Sequence, residues 1–402
     1  MPTERALLIQ LARLGDLVQS LPAYIGVQQR HPQAQVDLVC AEPLAPLARC
    51  FPAVGHVIPW DGAEWNRWAA AWSADRIDVM REAREQLTAL FPDRYDVAYN
   101  LNQHSRAIAL AHLCARQVEG PGQDGAVSEQ RPAWAEYVRE VARTRGANRV
   151  HLADAFCGLC GVRPPAAPPR LSVPHVALPG ELSAVGNGDG PWVAIAVGAG
   201  DAERVSPYTV WREWISRFLS ATPTGQVVLI GAGTECVSAR AIQEQLSSLE
   251  QGRVWDATGK LSIVELAVCL ARCQWVIGGD TGPLHLGAAV GVRAVGWYLA
   301  RARVHETGPY GKGHMVWQIH QPTPAGATSL PHEWPIQESI DWIVNGMTPH
   351  DLAEWTVWRS HVDEWGACFV EAEQGMDSIR AAVRQRAEIW RVLSPALVEV
   401  AS

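Results

Sequence analysis

Residues 275–297 read WVIGGDTGPLHLGAAVGVRAVGW. The apolar run Trp275-Val276-Ile277 predicts a buried strand. Gly278, Gly279, Asp280, Thr281 and Gly282 interrupt it and predict a tight turn. Pro283 stands in the first turn of a helix, where its missing N–H costs nothing. Leu284, Leu286, Ala288 and Ala289 continue as a short apolar helix, and Arg293-Ala294-Val295 opens another strand. Free backbone N–H groups at the positive end of such a helix suit a phosphate, and His285 can add a donor to the same anion. A plain structural reading stands beside this one. Asp280 or Thr281 can cap the helix, and His285 can be a hydrogen-bonded core histidine.

The same alternation extends in both directions. Upstream, 5–10, 36–40, 57–59 and 95–101 read as strands, with a helix from Asp16 to about Arg30, a long helical pattern over 60–90 and a helix over 150–161. Residues 163–190 are rich in Pro, Gly and Ser and predict a hinge between domains. Beyond it, strands at 192–197, 226–230 and 253–255 alternate with helices at 207–219, 236–249 and 262–272. Strand alternating with helix implies a parallel, doubly wound sheet in each half. The segment after 336 reads as mostly helical.

Composition narrows the partners. A chain of 402 residues is long for one domain and comfortable for two. Charged residues make up 19% and the net charge is −8, which argues for a packed globular protein and against a nucleic-acid partner. Residues 1–16, MPTERALLIQLARLGD, are too charged for a secretion signal, and no stretch has the length of a transmembrane helix. Nine cysteines, an odd number, suit a reducing cytosol better than a disulfide framework. Cys157 and Cys160 have CxxC spacing but sit in an apolar helical pattern without a second pair, so they read as small core residues.

Two glycine motifs fail as cofactor fingerprints. Gly198-Ala199-Gly200 and Gly231-Ala232-Gly233 each follow a strand, but Glu203 and Cys236 stand where the third glycine of a dinucleotide site belongs. Thr258-Gly259-Lys260 looks like the end of a P-loop, yet Val254 replaces its first glycine. There is no Asp-x-Asp triplet to hold a metal. Trp65, Trp68 and Trp72 could stack on a sugar, but their helical spacing fits a packing face better.

The string GDTGPLHLGAAVG resembles the donor-site motif of glycosyltransferase family 9, the ADP-heptose:lipopolysaccharide heptosyltransferases. DATGKLSIVELAVCLARCQWVIGGDTGPLHLGAA, ALLIQLARLGDLVQSLPA and VAYNLNQHSRAIAL extend the likeness over roughly residues 5–317. The resemblance implies a GT-B architecture: two Rossmann-like doubly wound α/β domains facing across a cleft. Residues 1–180 would form the acceptor-binding domain, 181–347 the nucleotide-sugar-binding domain, and 348–402 a helical C-terminal extension. Asp16, after Leu14-Gly15, matches the family's general base; on its own it reads as a helix cap. Arg204 matches a cation for the donor diphosphate, although Ser206 stands where the family has Trp. Glu235 matches a carboxylate that bonds the nucleotide ribose. Asp280, Thr281, Gly282 and His285 complete the implied donor site.

The implied reaction is an inverting, metal-independent transfer of a heptose from a nucleoside-diphosphate donor, ADP-heptose, to a cell-envelope saccharide such as lipopolysaccharide core. No cofactor is implied; the nucleotide sugar is a substrate. The implied location is cytoplasmic, with peripheral contact at the inner membrane through a lipid-linked acceptor. Two other readings of the fold are a sugar-nucleotide 2-epimerase and a catalytically silent nucleotide-sugar-binding protein.

Overall fold

The computed structural model describes residues 4–73, 77–122, 132–320 and 330–399. The chain divides into two compact units. The first comprises Met1–Arg143, Ala153–Pro164 and Trp390–Ser402; the second comprises Thr144–Leu152 and Pro165–Ile389. The second unit thus takes up the chain at the head of the Pro/Gly/Ser-rich stretch and adds a short segment from further upstream.

In the first unit, strands β1 (Arg5–Gln10), β2 (Gln35–Ala41), β3 (Val57–Trp60), β4 (Tyr95–Asn100) and β5 (Ala115–Glu119) form one parallel sheet in the order β3-β2-β1-β4-β5. Ala6, Leu7, Leu8 and Ile9 of the central strand are fully buried, as a strand covered on both faces requires. The winding reverses between β1 and β4, so the loops leaving these two strands part there. Asn102 ties them together: its Oδ1 accepts from the Leu11 N–H at 3.2 Å, and its Nδ2 donates to the Ile9 carbonyl at 2.9 Å.

The helix expected from Asp16 to Arg30 is broken in two, Leu14–Gln19 and Leu21–Arg30. Pro22 has no N–H to continue the ladder. Ser20 occupies the joint, and its hydroxyl donates to the Leu17 carbonyl at 2.6 Å. The long pattern over 60–90 likewise forms two helices, Gly62–Ser73 and Ile77–Leu90. Trp60, Trp65 and Trp68 pack on one another, with ring centroids 5.2–6.4 Å apart, which is the packing role expected for Trp65 and Trp68. The side chain of Trp72 lies outside the described residues. Cys157 and Cys160 are free and buried, and burial pushes both thiols up. Gly158 between them lies against Trp134, whose indole carbons would be 2.3 Å from a Cβ there.

In the second unit, β6 (Trp192–Ala196), β7 (Gln226–Ile230), β8 (Val254–Asp256), β9 (Trp275–Gly278), β10 (Arg293–Tyr298) and β11 (Met315–Ile319) run parallel in the order β8-β7-β6-β9-β10-β11. This sheet also reverses its winding, between β6 and β9. Trp211, Trp214, Ile215 and Phe218 of the helix Tyr208–Ala221 pack on it; Trp211 stacks on Trp297 of β10 at 4.6 Å and 3°.

The extension expected to be helical opens instead as a hairpin. Strands β12 (Trp355–Asp363) and β13 (Gly366–Glu371) are antiparallel and extend the sheet past β11, with Val357 opposite Trp317. The cause is local. Trp355, Val357, Val362, Phe369 and Val370 favour a pleated, half-buried surface. Asp363 Oδ1 accepts from the Trp365 N–H at 2.8 Å, and Gly366 supplies the positive φ of +95° that closes the turn. Only then does the helix Met376–Leu393 follow, with buried Arg386 donating to the Gly366 carbonyl and pairing with Asp363.

Candidate functional site

In the second unit all six parallel strands point the same way, so the loops leaving β6, β7, β8 and β9 share one edge of the sheet. The switch point between β6 and β9 is where such sheets hold ligands. The loop after β6 carries Arg204 and the turn after β9 carries Asp280, so the fold brings together two residues 76 apart in sequence.

Their geometry is close. Arg204 Nη1 donates to Asp280 Oδ2 at 2.9 Å and to the Asp280 carbonyl at 3.1 Å. Its Nη2 pairs with Asp201. His285 Nε2 lies 3.3 Å from Asp280 Oδ1. Asp280 and His285 are 8% and 5% exposed, and the Arg204 side chain is 20% exposed. Burial alone would raise the Asp280 pKa. The hydrogen bond and charge of His285, the charge of Arg204 and a hydrogen bond with Thr307 outweigh it, so the carboxyl lies below its ordinary value. For Arg204, burial pulls down, but Asp280 and Asp201 prevail and the guanidinium is held above its usual range.

Thr281 and Gly282 open the helix Gly282–Ala289. Thr281 sits at its N-cap, yet its side chain accepts no bond from the helix. Thr281 Oγ1 and His285 Nδ1 are both buried without a hydrogen-bond partner among the described residues. A buried orphan of this kind is costly unless a ligand meets it. The turn therefore has unused hydrogen-bonding capacity beside a fixed positive charge, a combination that suits an anion.

Glu235 lies at the end of β7, where the glycines rejected as a dinucleotide fingerprint find their use. A Cβ on Gly198 would stand 2.3 Å from Glu235 Cγ and 2.8 Å from its Oε1, and one on Gly231 would stand 3.0 Å from its Cβ. Both glycines clear the space through which this side chain runs between the ends of β6 and β7. Glu235 Oε1 accepts from the Thr234 hydroxyl at 2.9 Å. Lys260 is engaged elsewhere, its Nζ donating to the Asp256 carbonyl at 2.7 Å.

Asp16 belongs to the first unit. It is the third residue of the helix Leu14–Gln19, half-buried, and its Oδ2 accepts from the Arg13 N–H at 3.2 Å. It therefore does secure the helix start, from inside the first turn. The helix itself follows directly on the loop after β1, at that sheet's own switch point. Sequence reading missed Asp201, Thr307 and Tyr298. Tyr298 donates to the Thr307 carbonyl at 2.7 Å and so anchors the residue that bonds Asp280. Thr307 opens the stretch Thr307-Gly308-Pro309-Tyr310-Gly311, but nothing in its spacing points to Asp280.

Two doubly wound, mainly parallel sheets in one chain are the architecture of the GT-B glycosyltransferases. Two solved structures share the fold. The E. coli ADP-heptose lps heptosyltransferase II is 20% identical with a TM-score of 0.64, over 84% of this chain and 97% of that one. The E. coli heptosyltransferase WaaC with ADP is 21% identical with a TM-score of 0.61, over 85% and 100%. The family model of glycosyltransferase family 9 (heptosyltransferase) matches residues 84–328, more than half of the chain. The chain belongs to that family and is a glycosyltransferase. Among its curated relatives, lipopolysaccharide heptosyltransferase 1 of Salmonella typhimurium is 25% identical over 288 residues, 71% of this chain and 85% of the relative. Its counterpart in Escherichia coli K12 is 25% identical over 322 residues, 78% and 92%.

Proposed function

We propose that this enzyme moves a heptose from ADP-heptose to a saccharide of the cell envelope, such as a lipopolysaccharide core, with inversion and without a required metal. The observation that carries the reading is the buried Arg204–Asp280–His285 cluster at the β6/β9 switch point, with the unpartnered Thr281 Oγ1 and His285 Nδ1 beside it. Arg204 and the N-terminus of the helix Gly282–Ala289 neutralise the donor diphosphate. Gly282 lets the backbone come close to the phosphates, and Glu235 bonds the ribose. Relatives named lipopolysaccharide heptosyltransferase 1, and a fold neighbour solved with ADP, support this choice of donor and acceptor.

In the transfer step an acceptor hydroxyl attacks the anomeric carbon of the heptose. The new C–O bond forms as the bond to the phosphate oxygen breaks, and ADP leaves with the electron pair. Asp16 takes the hydroxyl proton as the bond forms. The enzyme works in the cytoplasm, with peripheral contact at the inner membrane when the acceptor is lipid-linked. No helix among the described residues is long and apolar enough to cross a membrane.

Asp16→Asn tests the mechanism. Asn keeps the oxygen that accepts from Arg13, so the helix start and the melting temperature should hold. Donor affinity should stay near wild type, while turnover should fall by roughly 10²–10⁴, the usual worth of a positioned base. A fully active Asp16→Asn enzyme would reduce Asp16 to a helix-securing residue.

A further inference from the structure

Strands β9 and β10 pair in parallel with Gly278 opposite Gly296, so the chain leaving β10 runs beside the Asp280 turn. That chain is strained. Ala300, 2% exposed, holds φ at +50°, a left-handed conformation that L side chains rarely adopt. Strain of this kind persists where the surroundings enforce it, often at ligand sites. Arg303 secures the bend, its Nη1 donating to the carbonyls of Ala300 at 3.2 Å and Ala302 at 2.7 Å.

The segment Thr144–Leu152 of the same unit comes alongside. Arg145 Nη1 donates to the Arg301 carbonyl at 3.2 Å, and its Nε lies 3.4 Å from Glu306 Oε2. Arg145 pairs with Glu306, Arg303 lies within reach of the same charge, and Arg301 joins them through its backbone carbonyl, in a protein whose net charge is negative. Burial, and then the neighbouring Arg145 charge, hold the Arg303 guanidinium below its usual range; Glu306 offsets only part of this. Arg301 is exposed and Arg145 is 41% exposed, so both can meet a solute. Thr307, one residue past Glu306, hydrogen-bonds Asp280 and ties the cluster to the donor turn.

We propose that Arg145, Arg301 and Arg303 form a subsite for a phosphate group carried by the acceptor saccharide, separate from the site of the donor diphosphate. The proposal rests on the donor assignment made above, in which Arg204 and the helix start already serve the diphosphate. Two guanidiniums share the Glu306 carboxylate and Arg301 adds a third positive charge at an exposed position of the same bend, which leaves room for a dianion, and planar forks bind phosphate oxygens in pairs. A second anion beside the donor site therefore has to come from the other substrate.

The test uses the full chain saturated with ADP and titrated by calorimetry with glucose 6-phosphate, with glucose, and with phosphatidylglycerol vesicles. Glucose 6-phosphate should bind wild type, glucose should not, and added salt should weaken the binding. The double variant R301Q/R303Q should lose at least tenfold in glucose 6-phosphate affinity and keep its ADP affinity within twofold. Arg303 also holds the bend, so R301Q alone, a surface change, is measured beside it; a loss of about threefold with an unchanged melting temperature is expected. Equal binding by wild type and both variants, displacement of glucose 6-phosphate by ADP, or arginine-dependent binding of vesicles only would each overturn the proposal. Failure of ADP to bind would count against the donor assignment alone, because the glucose 6-phosphate titration can be repeated without nucleotide.

Discussion

At Arg204 two carboxylates compete with any phosphate, and their burial decides which one yields. Asp280 is buried and holds Nη1 at 2.9 Å, with His285 on its other oxygen. Asp201 on Nη2 is 57% exposed. An exposed ion pair is worth about 0–1 kcal/mol, so replacing Asp201 with a phosphate oxygen costs little. Stripping Asp280 of its guanidinium would leave a buried charge short of a partner. Two opposite outcomes are expected in calorimetry with ADP. Asp201→Asn should tighten binding by two- to fivefold, about 0.5–1 kcal/mol, by freeing the fork. Arg204→Ala should weaken it by about 1.5–3 kcal/mol, the worth of a charge-assisted contact, and should also lower the melting temperature because Asp280 stays buried. Unchanged ADP affinity in Arg204→Ala would pass the diphosphate to another cation. Lys260 is the nearest sequence candidate, although its ammonium already serves Asp256.

Elements explain which parts of this arrangement could be read in advance. Strands β1, β6, β7 and β9 are apolar runs bounded by glycine or polar turns, so their place and the Asp280 turn were legible. The glycines after β6 and β7 were visible too, but their purpose was not, because it depends on the path of the Glu235 side chain, which reaches Gly198 from the loop after β7. Their role gives a sharp expectation. Gly198→Ala adds a Cβ 2.3 Å from Glu235 Cγ and should push that side chain aside. Gly233→Ala meets nothing within 4 Å and serves as the control. Nucleotide affinity should drop by about 1.5–3 kcal/mol, the worth of one hydrogen bond to a charged group, in the first variant and hold in the second, with both folded by circular dichroism. Equal affinities would remove Glu235 from the donor site. The hairpin at 355–371 was misread for a different reason. Its tryptophans at 355 and 358 have helical spacing, and the turn signal lay in Asp363 and Gly366, which a search for helical periods passes over. The joint at Ser20 was legible in Pro22 alone.

At the scale of the whole molecule, contacts between distant segments carry what no local pattern holds. Arg145 joins Glu306, and His151 joins Gly308 at 2.7 Å, from a segment that reads in sequence as part of the first half. Such contacts also set how stability depends on pH. His151 and His314 are 1% and 5% exposed. Burial lowers both to about 4; for His151 the bond to the Gly308 carbonyl, and for His314 a backbone bond at Tyr310, oppose it only in part. In the unfolded chain each titrates near 6.5, so between about pH 6.5 and 4 the unfolded state binds more protons than the folded one. Stability from these two groups is then full above pH 6.5 and is lost as pH falls toward 4, at up to about 1.4 kcal/mol per pH unit for each proton. Carboxylates with depressed values, Asp280 among them, add their loss only as the pH approaches 4 and below, so the two causes separate along the pH axis. Burial lowers His305 to about 4 as well, so with three such groups denaturant unfolding at pH 7 and pH 5 should differ by about 5 kcal/mol, with a net uptake of protons on unfolding at pH 5. His314→Asn keeps an acceptor for the Ala294 N–H, which His314 Nδ1 takes at 3.0 Å, while removing the titrating ring. It should lower stability at pH 7 and cut the difference between the two pH values by about a third. A wild-type protein equally stable at both would mean that these histidines are already protonated in the fold, and that their burial is offset by partners other than Gly308 and Ala294.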